Sequence, residues 1–120
     1  MPRHSLLFDL VDEPAAIAEY ERWHRPGNVP GPVLASIRAA GIVEMEIHRL
    51  GNRLMMLCET TDAFDPAAKA AADAADPDAM AWKALISQFQ RPVPGAPAGK
   101  KWAAPQPIFR LTDHPGHTPA

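Results

Sequence analysis

The sequence predicts an α+β fold of ferredoxin-like type: a four-stranded antiparallel sheet with its helices on one face. Three features point there. Apolar periodicity runs strand, helix pair, strand, strand, helix pair, strand, which is the split βαβ arrangement. The first and third strands read as apolar on both faces, as the two central strands of such a sheet should. The second and third are joined by Gly51-Asn52, a strong hairpin signal. Helices on one side leave the other face of the sheet uncovered. An apolar open face needs a partner, so a homodimer is expected, or else that face lines a cavity.

Each element has a local cause. Residues 4–11, His-Ser-Leu-Leu-Phe-Asp-Leu-Val, form the first strand, with Asp9 its one acid. Asp12 or Glu13 caps a helix with Pro14 in its first turn, where a missing N–H costs nothing. That helix runs to about Arg25 and stops before Pro26, because a residue preceding proline avoids the helical region. After a Pro/Gly loop comes a short helix with Val33, Leu34, Ile37 and Ala40 on one face and Gly41 as its cap. The second strand, 42–50, alternates Val43, Met45 and Ile47 against Glu44, Glu46 and His48, which suits an edge. The third, 53–59, contains Leu-Met-Met-Leu-Cys and suits the centre. Asp65-Pro66 starts an alanine-rich helix, and Asp76-Pro77 starts another, to about Gln90, with Trp82, Leu85, Ile86 and Phe89 in one stripe. A proline-rich connector with Lys100-Lys101-Trp102 leads to a last strand, 108–112. Residues 1–112 are expected to form the domain and 113–120 a flexible tail.

Composition narrows the classes of function. The net charge of -2 and the absence of a basic cluster argue against nucleic acid. No apolar run approaches the roughly 20 residues that cross a bilayer, and no signal-peptide core follows Met1, so no membrane role and a cytoplasmic address are expected. The single Cys58 lies in an apolar run and reads as a buried thiol in a reducing compartment. There is no phosphate-cradling glycine loop, nucleophile elbow or Cys-x-x-Cys.

The stretch Tyr20-Glu21-Arg22-Trp23-His24 stands out. Tyr20 and His24 are four residues apart, so on a helix they share one face, together with Ile17. A phenol and an imidazole then sit side by side on the buried stripe, at the junction with a Pro/Gly loop. Each also has a plainer reading: His24 as a helix-terminal cation and Tyr20 as a core aromatic. Together they suit acid/base and hydrogen-bonding work. Asp9 is costly to bury alone. It either meets water or a backbone N–H on the open face, or shares a cavity there with His24. Trp82 has the spacing of a core residue, and Trp102 either covers a site or anchors the connector. Glu44, Glu46 and His48 are more simply solvated than a metal trio, and His114 and His117 in the tail make a poor metal site. No metal is expected.

On these residues the chain resembles the L-rhamnose mutarotase family. The resemblance begins with Tyr20-x-x-x-His24 and continues through Gly41-Ile-Val-Glu-Met-Glu-Ile-His-Arg-Leu-Gly-Asn-Arg-Leu-Met-Met. Phe64-Asp-Pro, Trp82-Lys83 and Ile108-Phe-Arg-Leu extend it over residues 3–112. The Met-Glu-Ile-x-Arg-Leu-Gly stretch is most similar to members associated with L-fucose breakdown. The resemblance implies a homodimer of the dimeric α/β-barrel type. It implies interconversion of the α and β anomers of a 6-deoxy-L-hexose, L-rhamnose or L-fucose, without a metal or organic cofactor. His24 would be the proton donor, Tyr20 would contact the sugar, and Trp82 would pack on it. Three positions depart from the pattern: Ala81 replaces the first residue of a Trp-Trp pair, Met45 replaces a tyrosine, and the loop after His24 is longer.

The chemistry suits the residues. Mutarotation opens the pyranose at C1–O5 and recloses it on the other face. One group titrating near neutrality can move protons in both directions, and general acid/base help of roughly 10²–10⁴-fold is enough to be useful. Asp9, from the residue reading rather than the resemblance, is a candidate second proton acceptor or orienter of a sugar hydroxyl. Two other classes fit the same architecture: a cofactor-free monooxygenase with a wide apolar cavity, and a non-catalytic sugar-binding or regulatory protein.

Overall fold

A computed structural model describes residues 2–99 and 102–116. Its elements are β1 (Arg3–Leu10), α1 (Pro14–Trp23), α2 (Gly31–Ala39), β2 (Ile42–Leu50), β3 (Arg53–Thr60), α3 (Pro66–Ala74), α4 (Pro77–Ser87) and β4 (Gln90–Arg91). A short 3₁₀ turn, Leu111–Asp113, follows. The sheet order is β2-β3-β1-β4 with every neighbouring pair antiparallel. β1 and β3 are therefore central, as their doubly apolar sequences predict.

Proline sits in the first turn of all four of these α-helices. Asp65 and Asp76 cap α3 and α4, each carboxylate accepting the backbone N–H two residues on at 3.0 Å. α1 differs: its cap is Glu13, whose side chain makes no capping bond. After α2, Gly41 adopts φ +94°, and a Cβ there would lie 2.7 Å from Thr61 Oγ1. That left-handed turn sends the chain directly into β2.

The strand register separates the two faces of the sheet. Phe8 stands opposite Leu54, and Leu6 opposite Met56, on the face that meets the helices. Phe8, Leu10 and Leu54 with Tyr20 of α1 form the buried core, and Ile17, Ile47, Ile86, Phe89 and Trp102 pack around it. Full burial of a side chain such as Phe8 contributes about 1.5–3 kcal/mol. On the other face Leu7 is opposite Met55 and Asp9 opposite Arg53. Among the described residues nothing covers Leu50, which is 87% exposed, and Met55 is also exposed. A bulge between Ile42 and Glu44 breaks the alternation of β2 and leaves Val43 exposed rather than aligned with Met45 and Ile47.

The last strand is not where the sequence predicts it. α4 ends at Ser87, short of Gln90, and Gln90 and Arg91 pair with Leu10 and Asp9 as the edge strand. Pro92 favours this, since a residue before proline prefers extended backbone. Ala103 then continues the edge through mutual backbone bonds with Leu7 of 2.7 and 2.9 Å. Trp102 anchors that connector, its ring centroid 3.7 Å from that of Phe8. Ile108–Leu111 belongs to no strand, leaving Ile108 96% and Phe109 67% exposed. Lys100, Lys101 and His117–Ala120 lie outside the described residues. Among the described residues no helix is long and apolar enough to cross a membrane.

Candidate active site

The C-terminal end of α1 builds the site. As predicted, Ile17, Tyr20 and His24 form one stripe, and Tyr20 is buried at 3% exposure. The Tyr20 ring lies edge-on to Phe8 and to Phe89, with centroids 6.2 Å apart in each case. The last turn of the helix tightens. The His24 N–H bonds to the Glu21 carbonyl at 3.1 Å instead of reaching back four residues. The Tyr20 carbonyl is thereby left for the His24 ring, whose Nδ1 donates to it at 2.7 Å.

This bond fixes the chemistry of the imidazole. A carbonyl can only accept, so the ring proton is on Nδ1 and the neutral ring carries its lone pair on Nε2. The His24 ring stacks on Tyr20 with centroids 4.3 Å apart and planes 29° from parallel. Burial pushes the His24 pKa below its ordinary value, and the bond to the Tyr20 carbonyl opposes part of that shift. The net shift favours the neutral imidazole. Burial pushes the Tyr20 phenol up to about 12, with the adjacent Gln90 amide working against the shift. The hydroxyl stays protonated.

Trp82 of α4 completes a wall. Its ring meets His24 edge-to-face at 5.4 Å and Trp23 at 6.4 Å. Trp23 is in turn held by Glu19, which accepts its Nε1–H at 3.1 Å, and by the Arg22 guanidinium 4.8 Å from its ring centroid. An ion pair between Arg49 of β2 and Glu21 ties α1 to the hairpin. Met45 lies opposite Cys58 in the register, on the helix-facing side, and Ala81 is exposed beside Trp82. The Cys58 thiol is buried, which pushes its pKa up.

Tyr20, His24 and Trp82 are thus brought together, but Asp9 is not. Strand alternation puts Asp9 on the opposite face from Phe8, where Arg53 donates to its carboxylate at 2.9 and 3.3 Å. Within one chain Asp9 and His24 therefore lie on opposite sides of the sheet. Glu44, Glu46 and His48 also lie on that open face, with His48 Nε2 3.5 Å from Glu46. Among the described residues, no group of three or more His, Cys, Asp or Glu side chains is arranged to hold a metal ion. A hollow of about 270 Å³ on the open face is lined by Arg3, His4, Glu44, Glu46 and Glu59 among others. Another, of about 380 Å³, follows Pro107–His114. Neither contains His24.

Two residues at the site were not singled out from the sequence. Trp23 is adjacent to His24 in the chain and lies off the Ile17/Tyr20 stripe, so helical spacing gives no signal for it. Gln90 reads as the end of a helix, and only its pairing with Leu10 brings it beside Tyr20.

The family model for L-rhamnose mutarotase matches residues 3–111. An L-fucose mutarotase from Xanthomonas campestris pv. campestris is 50% identical over 113 residues, covering 94% of this chain and 90% of that protein. The fold is similar to the crystal structure of an L-rhamnose mutarotase from Formosa agariphila, with a TM-score of 0.58 at 13% identity over 92% of this chain and 99% of that one. With half its residues shared with one such protein and nearly its whole length matched by the family model, the chain belongs to the L-rhamnose mutarotase family, isomerases acting on carbohydrates.

Proposed function

We propose that the protein interconverts the α and β anomers of a 6-deoxy-L-hexose, with L-fucose preferred over L-rhamnose, and that His24 moves the proton. The observation that carries the mechanism is the bond from His24 Nδ1 to the Tyr20 carbonyl, which commits one ring nitrogen and leaves Nε2 without a hydrogen-bond partner among the described residues. The preference for L-fucose rests on the 50% identity to the L-fucose mutarotase of Xanthomonas campestris pv. campestris.

One nitrogen is enough because the hydroxyl oxygen O1 and the ring oxygen O5 are bonded to the same carbon. Nε2 takes the proton from O1–H, the C1–O1 bond gains carbonyl character, and the C1–O5 bond breaks. The imidazolium then returns that proton to O5. Rotation about C1–C2 presents the other face of the aldehyde. Closure runs the same transfers in reverse, so the enzyme ends as it began. A histidine held neutral at pH 7 starts this cycle as a base. Tyr20, protonated throughout, backs the imidazole and offers a hydroxyl to the sugar. Trp82 supplies an apolar face for the sugar's C–H bonds and methyl group.

A second copy of the chain would cover the open face of the sheet and the apolar Ile108–Leu111 segment, giving a homodimer. The exposed side chains on both are the support for this. Family membership weighs against the monooxygenase reading, and a binding-only role predicts no rate. Exchange between the two anomeric proton signals of L-fucose, followed with and without protein, tests the proposal. Acceleration supports it, and unchanged exchange with folded protein refutes it.

A further inference from the structure

Gln90 carries a hydrogen-bonding capacity that the fold does not use. It is 4% exposed and lies on β4 opposite Leu10, hence on the helix-facing side of the sheet. Its Nε2 is buried and meets no acceptor at full hydrogen-bond geometry among the described residues. The Tyr20 phenol, toward which the amide acts as a donor, takes at most one of its two N–H groups. Buried polar groups are nearly always paired, because an orphaned amide loses its bonds to water and gains none. This one sits beside the Tyr20 phenol, and Tyr20 stacks on the His24 ring. An unspent donor is therefore placed within one residue of the proposed proton shuttle, in a core otherwise made of Phe8, Leu10, Leu54 and Phe89.

We propose that Gln90 is a specificity-determining residue: its Nε2 amide donates to a ring hydroxyl of the hexose held against His24. This rests on the reading of the site as a sugar site. The chemistry fits a polyol. A carboxamide offers two N–H donors and a carbonyl acceptor in one plane, so it can donate to a sugar oxygen while its oxygen serves a neighbouring hydroxyl. L-Fucose and L-rhamnose differ in configuration at C2 and C4, so a fixed donor beside the ring distinguishes them. A site built to bond a hydroxyl rejects sugars lacking it, because the amide is then left unpaired again.

The direct test uses the wild-type protein labelled with ¹⁵N. The sequence has three Gln, at 88, 90 and 106, so the side-chain amide signals are few. Saturating L-fucose should shift the Gln90 pair while Gln88 and Gln106 stay in place. Gln90→Met should then weaken L-fucose binding about tenfold and narrow the preference over L-rhamnose. Among the 2-, 3- and 4-deoxy analogues, one should bind wild type and Gln90→Met equally, identifying the hydroxyl the amide contacts. An unmoved Gln90 signal at saturating sugar overturns the inference, whether or not Gln90→Met folds. So does a variant with unchanged affinity and preference. Sugar-dependent shifts without faster anomeric exchange would keep Gln90 as a binding residue and refute the mutarotase reading instead. Faster exchange with a silent Gln90 would do the opposite, and no binding of either sugar would overturn both.

Discussion

The Nδ1–H of His24 points at the carbonyl of Tyr20, 2.7 Å away, while the two rings stack at 4.3 Å. The phenylalanine-like body of Tyr20 and its backbone oxygen thus hold the same imidazole from two sides. Such a ring has one defined tautomer and one available nitrogen. Its behaviour can be read in several experiments.

The pH profile follows from the burial of that ring. The shuttle begins with unprotonated Nε2, so kcat/KM should rise with pH and level off with a midpoint below 6.5, the ordinary value for histidine. The same shift acts on stability. A pKa lower in the folded than in the unfolded chain means the unfolded chain takes up the proton first. The contribution of His24 is therefore present above 6.5 and is lost as pH falls through the lowered folded value. A kinetic midpoint above 6.5 would contradict this environment.

Asp9 faces away from His24 and is paired with Arg53. Asp9→Asn should leave the anomeric exchange rate within about twofold of wild type, since general acid/base groups contribute far larger factors. A loss of about a hundredfold would place this carboxylate at the reacting atoms.

Gly41→Ala should destabilise the fold by about 1–3 kcal/mol, because a side chain is strained at positive φ and the new Cβ meets Thr61. Urea denaturation reads this as a lower midpoint with an unchanged slope. An unchanged midpoint would mean the turn into β2 relaxes freely.

Ile108 and Phe109 are exposed in a segment that pairs with no strand among the described residues. If a second copy covers them, Phe109→Glu should convert a dimer into a monomer in sedimentation velocity. A wild type that sediments as a monomer at all concentrations would refute the homodimer.

Much of the architecture was legible in the chain. The doubly apolar β1 and β3 gave away the centre of the sheet. Gly51-Asn52 gave away the hairpin, and the Asp-Pro pairs marked the starts of α3 and α4, because these signals are local. The edge strand was not legible, since two residues carry no periodicity and Gln90 and Arg91 are extended only through pairing with β1. Ile108–Leu111 has strand composition, but Gln90–Arg91 and Ala103 already occupy the edge beside β1. Helical spacing put Tyr20 and His24 on one face, where their rings stack, whereas the apolar stripe of α4 read Trp82 as a core residue and only the resemblance set it beside a sugar. Alternation alone separates Asp9 from Phe8, yet which of the two faces the helices depends on packing that spans the chain. Trp23 and Gln90 were missed for the same reason: tertiary contacts, and not spacing, bring them to the ring.

The central claim is that His24 carries the proton, and saturation-transfer NMR on the anomeric protons of L-fucose and L-rhamnose tests it most directly. Wild-type protein should speed α/β exchange, more for L-fucose. His24→Ala should return the rate to that of the sugar in buffer while still binding it. Exchange by a folded His24→Ala protein as fast as by wild type would contradict the account.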